Sequence, residues 1–148
     1  MVKAYHRRSW HNNGVASRTG TTILYVEDNE DNAYMLSRRL RRHGYEVLLA
    51  EDGAAGVAAA KEQQPDMILM DLNLPVMDGW AATKALKGCD LTAHIPVIAV
   101  SSHVLPGERE IALAAGCNEY ETKPIDFKQL LAKIRQFESL LTSPARSM

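Results

Sequence analysis

Residues 67–79, MILMDLNLPVMDG, decide the fold. An unbroken apolar run, Met67–Met70, stops at Asp71; a loop follows from Leu72 to Asp78, and a helix starts at Gly79. Apolar residues without polar alternation suit a strand buried on both faces, the situation of a central strand in a parallel sheet covered by helices. Asp78 is placed to cap the helix that follows.

The same alternation extends in both directions. Upstream, Ile23–Val26 is a short β-rich run followed by an acidic turn, Glu27-Asp28-Asn29-Glu30. A helix then reaches about His43, with Ala33, Leu36 and Leu40 on one face, Asp28 as a candidate cap and Gly44 as the stop. Glu46–Ala50 reads as a strand, and Gly53–Gln64 as an Ala-rich helix capped by Asp52 and ended by Pro65. Downstream, the third helix ends near Leu86 and Pro96–Val100 forms a fourth strand. A helix from about Pro106 to Ala115 stops at Gly116, and Glu119–Thr122 is a short fifth strand. Phe127, Leu130, Leu131, Ile134, Phe137 and Leu141 mark the last helix by their spacing, with Asp126 and Gln129 resembling a capping box. Five strands alternating with five helices predict an α/β fold, a doubly wound five-stranded parallel sheet. Ligands of such sheets bind at the carboxyl ends of the strands.

The 148 residues suit one domain, expected over residues 21–141, with a seven-residue tail at 142–148. The net charge of −1 hides an asymmetry: residues 1–20 carry Lys3, Arg7, Arg8 and Arg18 and no acid. This basic N-terminal stretch has few apolar residues to bury and is expected to be disordered, with Trp10 a docking candidate. No apolar run approaches the ~20 residues that span a bilayer. The basic N-terminus lacks the apolar stretch of a secretory signal, so a cytoplasmic protein with no membrane partner is expected. Cys89 and Cys117 have neither metal-ligand spacing nor a disulfide framework and read as reduced, partly buried thiols.

Polar residues collect where the strand-end rule directs attention. Glu27 and Asp28 follow the first strand, Asp71 and Asn73 the third, Ser101 and Ser102 the fourth, and Lys123 the fifth. Each alone reads as a solvated loop residue or a cap; together, at the ends of different strands, they read as a site. Two carboxylates ~4 Å apart repel by about 4 kcal/mol at an effective dielectric near 20, so three require a cation or a proton. Hard oxygen ligands without His or Cys suit Mg²⁺ or Mn²⁺ and disfavour zinc. A lysine and a hydroxyl beside that metal suit a phosphoryl group.

These residues resemble the receiver domain of two-component response regulators, over about residues 21–138. Four ordered motifs carry the likeness: Val26-Glu27-Asp28-Asn29, Met70–Gly79, Ala99-Val100-Ser101-Ser102-His103 and Tyr120-Glu121-Thr122-Lys123-Pro124-Ile125. The resemblance implies a (βα)5 sheet of flavodoxin-like order 2-1-3-4-5. It implies that Asp71 takes a phosphoryl group from phosphohistidine on a sensor histidine kinase or histidine phosphotransfer protein, as in a phosphorelay. Asp28 and Asp71 match direct Mg²⁺ ligands, Asn73 a ligand through its backbone carbonyl, and Glu27 a ligand through water. Lys123 matches the lysine that pairs with a phosphoryl oxygen, and its bond to Pro124 is expected to be cis. Ser101 matches the switch hydroxyl, and Tyr120 the ring that turns inward when that hydroxyl moves.

The implied output is the face of the fourth helix, fifth strand and fifth helix, which would meet a downstream protein target or a second copy in a phosphorylation-dependent dimer. No enzymatic turnover beyond phosphoryl uptake and self-dephosphorylation is implied, and no direct nucleic-acid binding is expected. The first helix would border the phosphodonor surface, where Arg38, Arg41 and Arg42 share a face that suits an acidic partner. Trp80 is expected near the site, as a packing residue before a hot spot. The chain departs from the family pattern in Ser102, where a small apolar residue is usual, and in Glu121, expected on the solvent side of the fifth strand. The switch residue is serine instead of the commoner threonine, and His103 is a candidate for tuning dephosphorylation.

Rival readings fit less well. A haloacid-dehalogenase-like phosphatase needs Asp-x-Asp after its first strand; here Asp71 follows the third, and Asn73 stands two residues on. A flavodoxin-like cofactor binder needs a first loop that welcomes phosphate, which Glu27–Glu30 would repel. A receiver fold without phosphorylation is disfavoured by the complete constellation. The chain reads as a single-domain regulator or as the receiver fragment of a hybrid histidine kinase.

Overall fold

The computed structural model describes residues 20–74, 77–102 and 106–141. The basic stretch through residue 19 with Trp10, the tail 142–148 and His103 lie outside the described residues. The strands are β1 (Thr22–Val26), β2 (Glu46–Ala50), β3 (Met67–Asp71), β4 (Val97–Ser101) and β5 (Glu119–Thr122). The helices are α1 (Glu30–Arg42), α2 (Gly53–Gln63), α3 (Gly79–Lys87), α4 (Glu108–Ala114) and α5 (Phe127–Leu141). All strand pairs are parallel, in the order β2-β1-β3-β4-β5. The order reverses between β1 and β3, the switch point at which such sheets open a crevice.

The two-residue period of the strands divides the core. Ile23 and Tyr25 of β1 face α1 and α5, joining Leu36, Leu40, Leu130 and Ile134. Leu24 and Val26 face the other side, with Ala59 of α2, Leu86 of α3 and Ala112 of α4. Every residue of β1, β3 and β4 is buried, as their continuous apolar runs require.

Asp52 and Asp78 cap α2 and α3, accepting the N–H groups of Ala55 and Ala81 at 2.8 Å each. Asp126 accepts the Gln129 N–H at 3.2 Å at the start of α5. The cap of α1 is Asn29, whose side chain accepts the Asn32 N–H at 2.9 Å, and not Asp28. Asp28 lies one residue too early to reach that N–H, which leaves its carboxylate at the strand end. Helix α4 begins at Glu108, later than expected, because Gly107 takes the N-cap position with φ 80°.

Glu121 does not face solvent. It is 5% exposed and ion-paired with Lys133 of α5, whose Nζ also donates to the Tyr120 carbonyl at 2.8 Å. Helix α5 covers this edge strand, and its lysine matches the buried charge that water would otherwise solvate. Arg38 and Arg42 are exposed on α1, whereas Arg41 is half-buried. Cys89 is half-buried and Cys117 buried, both as free thiols, and Trp80 packs against the α2/α3 side of the core.

Candidate functional site

Parallel strands bring residues distant in sequence to one rim. The register sets Val26 beside Met70, Asp71 beside Val100 and Ser101 beside Thr122, so the residues at or just past these positions are neighbours. Carboxylate oxygens of Glu27, Asp28 and Asp71 lie within 4.8 Å of one another. Asp71 and Glu27 are buried, and Asp28 is exposed.

Lys123 bridges two of these acids. Its Nζ is 2.7 Å from Glu27 Oε1 and 3.1 Å from Asp71 Oδ2. The Lys123 backbone N–H donates to the Ser101 carbonyl at 2.8 Å, and its peptide bond to Pro124 is cis, as expected. Burial works to lower the lysine's pKa, but hydrogen bonds and charge from Glu27 and Asp71 outweigh it and raise the group above its ordinary value. Burial, with Asp71 beside it, raises the Glu27 carboxyl against the opposing pull of Lys123.

Tyr25 belongs to the site although nothing in the sequence singled it out. Residues 25 and 27 lie two apart along the chain at the end of β1, and the Tyr25 hydroxyl donates to Glu27 Oε1 at 3.0 Å. Burial, reinforced by Glu27, pushes that phenol well above its ordinary pKa. Tyr25 and Lys123 thus both donate to Glu27 Oε1, while Asp28 stands at the solvent side of the cluster.

Asn73 closes the third side. Its N–H donates to Asp71 Oδ1 at 2.8 Å, and its side-chain oxygen accepts from the N–H and hydroxyl of Ser102 at 3.3 and 3.2 Å. The polar residue at 102 therefore ties the end of β4 to the loop after β3. Ser101 is fully buried at the end of β4. The Tyr120 ring is already turned inward, 8% exposed, and its hydroxyl donates to Glu108. Glu108, like Tyr25, escaped the sequence reading, because an acid in the first turn of a helix ordinarily faces water.

The donor set fits a hard divalent cation. Three carboxylates supply oxygen ligands, and no His or Cys belongs to the cluster.

The chain matches the family model of the response regulator receiver domain over residues 23–135. The polar-differentiation response regulator DivK of Brucella anthropi is 36% identical over 116 residues, 78% of this chain and 94% of that protein. The protein PilH of Pseudomonas aeruginosa is 38% identical over 112 residues, 76% of this chain and 93% of that protein. Among solved structures, the receiver domain of a Pseudomonas aeruginosa sensor histidine kinase, with a magnesium ion coordinated in its active-site cleft, matches with a TM-score of 0.75 and 38% identity. That match covers 81% of this chain and 98% of that one. A co-crystal structure of a Saccharomyces cerevisiae histidine phosphotransfer signalling protein with the receiver domain of its downstream response regulator matches with a TM-score of 0.76 and 30% identity. It covers 84% of this chain and 92% of that one.

Proposed function

The chain belongs to the response regulator receiver domain family, and from that premise we propose that Asp71 accepts a phosphoryl group from phosphohistidine in a Mg²⁺-dependent reaction. The observation that carries this reading is the convergence of Asp71 with Glu27, Asp28 and Lys123. Asp28, Asp71 and the Asn73 backbone carbonyl would hold the ion, with Glu27 one water away and Mn²⁺ an alternative. Mg²⁺, when bound, offsets the clustered negative charge of the carboxylates and of the incoming phosphoryl oxygens.

The chain's own residues do the rest. A carboxylate oxygen of Asp71 bonds to phosphorus as the N–P bond breaks, and imidazole, protonated at its other nitrogen, leaves neutral. Lys123 follows the new charge, moving from Glu27 to a phosphoryl oxygen. Ser101 donates its hydroxyl to a second one. The acyl phosphate brings extra negative charge and strong acceptor oxygens, and the movements of Ser101 and Lys123 reshape the face of α4, β5 and α5. That face would meet the downstream target or a second copy of the chain.

The donor, a sensor histidine kinase or histidine phosphotransfer protein, would dock over α1. An open groove of about 490 Å³ lies there, reaching Lys123 and lined by Met35, Leu36, Arg39, Pro124, Ile125 and Phe127. Met35 is 64% exposed, and Arg39 stacks 4.0 Å over the Phe127 ring. Among the described residues no helix is long and apolar enough to cross a membrane. The cytoplasm, where kinases present phosphohistidine, is the proposed location.

The reading is tested by intact mass after incubation with Mg²⁺ and acetyl phosphate. One added phosphoryl group, labile to hydroxylamine and missing from Asp71→Asn, is expected. Steady hydrolysis of phosphomonoesters would favour a phosphatase instead.

A further inference from the structure

We propose that Tyr25 is a positioning residue for phosphoryl uptake: its hydroxyl keeps hold of Glu27 Oε1 when Lys123 leaves that oxygen for the phosphoryl group. The inference rests on the phosphoacceptor reading of Asp71. It starts from a buried hydroxyl which that reading does not use.

Tyr25 is 0% exposed in β1, and its ring packs in the core layer that holds Leu36, Leu40, Leu130 and Ile134. Such neighbours suit a phenylalanine equally well, so packing does not account for the hydroxyl. A buried phenol needs a hydrogen-bond partner, and the alternation of the strand supplies one by bringing side chains 25 and 27 to the same side at its end. The hydroxyl donates to Glu27 Oε1 at 3.0 Å.

Glu27 is only 3% exposed. Its Oε1 also accepts from Lys123 Nζ at 2.7 Å, and its Oε2 accepts the Asn29 N–H at 3.3 Å. Lys123 reaches Asp71 Oδ2 as well, at 3.1 Å. The two donors on Oε1 differ in freedom. Lys123 carries its charge on a flexible stem, whereas Tyr25 is a rigid ring with two torsions, locked in the core. A phosphoryl group on Asp71 draws the lysine away. A buried carboxylate oxygen left without a donor would then be destabilised, because no water replaces the lost hydrogen bond. Tyr25 stays and prevents that loss. Its hydrogen bond to the charged oxygen, no longer shared with an ammonium, becomes the stronger one, and the carboxylate keeps its place beside Asp28 and Asp71.

The test sets affinity for beryllofluoride, an acyl-phosphate analogue, against affinity for Mg²⁺ alone. Tyr25→Phe keeps the ring and removes the donor. Lys123 leaves Glu27 only for the phosphoryl group, so this variant should lower beryllofluoride affinity about tenfold more than it lowers Mg²⁺ affinity. A second readout uses the wild type and needs no variant. Relative to the Mg²⁺-bound protein, beryllofluoride should move the Tyr25 ¹³Cζ resonance downfield, as the phenol donates more strongly to the carboxylate. Equal losses of the two affinities would make Tyr25 a support of the resting acid cluster and overturn the proposal. A resonance that stays in place or moves upfield would overturn it too. Failure of the wild type itself to bind beryllofluoride would instead count against the phosphoacceptor reading and take this inference with it.

Discussion

Lys123 keeps its proton to higher pH than a free lysine, because Glu27 and Asp71 together outweigh the cost of its burial. The folded protein therefore binds that proton more tightly than the unfolded chain does. Its contribution to stability is complete below the ordinary value of 10.5 and is lost as the pH rises through the higher folded value. Denaturant titrations above about pH 9 should show this alkaline decline in the wild type and a flatter one in Lys123→Met. Equal slopes would mean that the lysine is not held by the two acids. Glu27 is shifted in the same direction for another reason, burial first, so in weakly acid solution its extra folded-state proton also favours folding and is lost as pH rises. At this scale the placement of Asp28, Asp71, Ser101 and Lys123 at one rim of the sheet was legible, because each ends a strand or lies within two residues of its end. The sequence was silent on Tyr25 and Glu108, because the type and spacing of a residue do not say which hydroxyl a buried carboxylate will find.

The helix starts are what hold the loops at the strand ends. A Cβ on Gly79 would lie 2.3 Å from the Asp71 carbonyl oxygen and 2.6 Å from Leu72 Cα, both backbone atoms that cannot swing aside. Gly79→Ala should therefore cost on the order of 2–3 kcal/mol in unfolding free energy. It should also slow phosphorylation by acetyl phosphate, since the displaced backbone carries Asp71. A variant of wild-type stability would show that α3 can retreat freely. The elements themselves were legible: the Met67–Met70 run, the caps Asp52 and Asp78, and the stripe of α5 all stand where the sequence put them. The errors fell where tertiary contact overrides local pattern. Glu121 belongs to a four-residue edge strand, too short for alternation to fix its inner face, and Lys133 of α5 made the inner side tolerable for a charge. Asp28 gave way to Asn29 as the cap of α1, because the helix begins at Glu30, one residue later than a cap at Asp28 requires.

Across the whole molecule, the doubly wound sheet separates the surface where the phosphoryl group would arrive from the face that would report it. The groove beside α1 opens next to Lys123, whereas β5 lies beside the end of β4, with Ser101 opposite Thr122, and α4 meets β5 through the hydrogen bond from Tyr120 to Glu108. A charge placed in the groove should therefore affect protein donors and spare small ones. Met35→Asp, at an exposed position, should slow transfer from a phosphorylated histidine phosphotransfer protein about tenfold and leave labelling by acetyl phosphate unchanged. Equal slowing with both donors would place the damage in the site itself. The claim on which everything else depends is that the acyl phosphate forms on Asp71, and borohydride reduction followed by peptide mass mapping tests it most directly. After treatment with Mg²⁺ and acetyl phosphate, the account predicts homoserine at position 71 and nowhere else. Homoserine at position 28 or 52, or none despite a measured gain of phosphoryl mass, would contradict it.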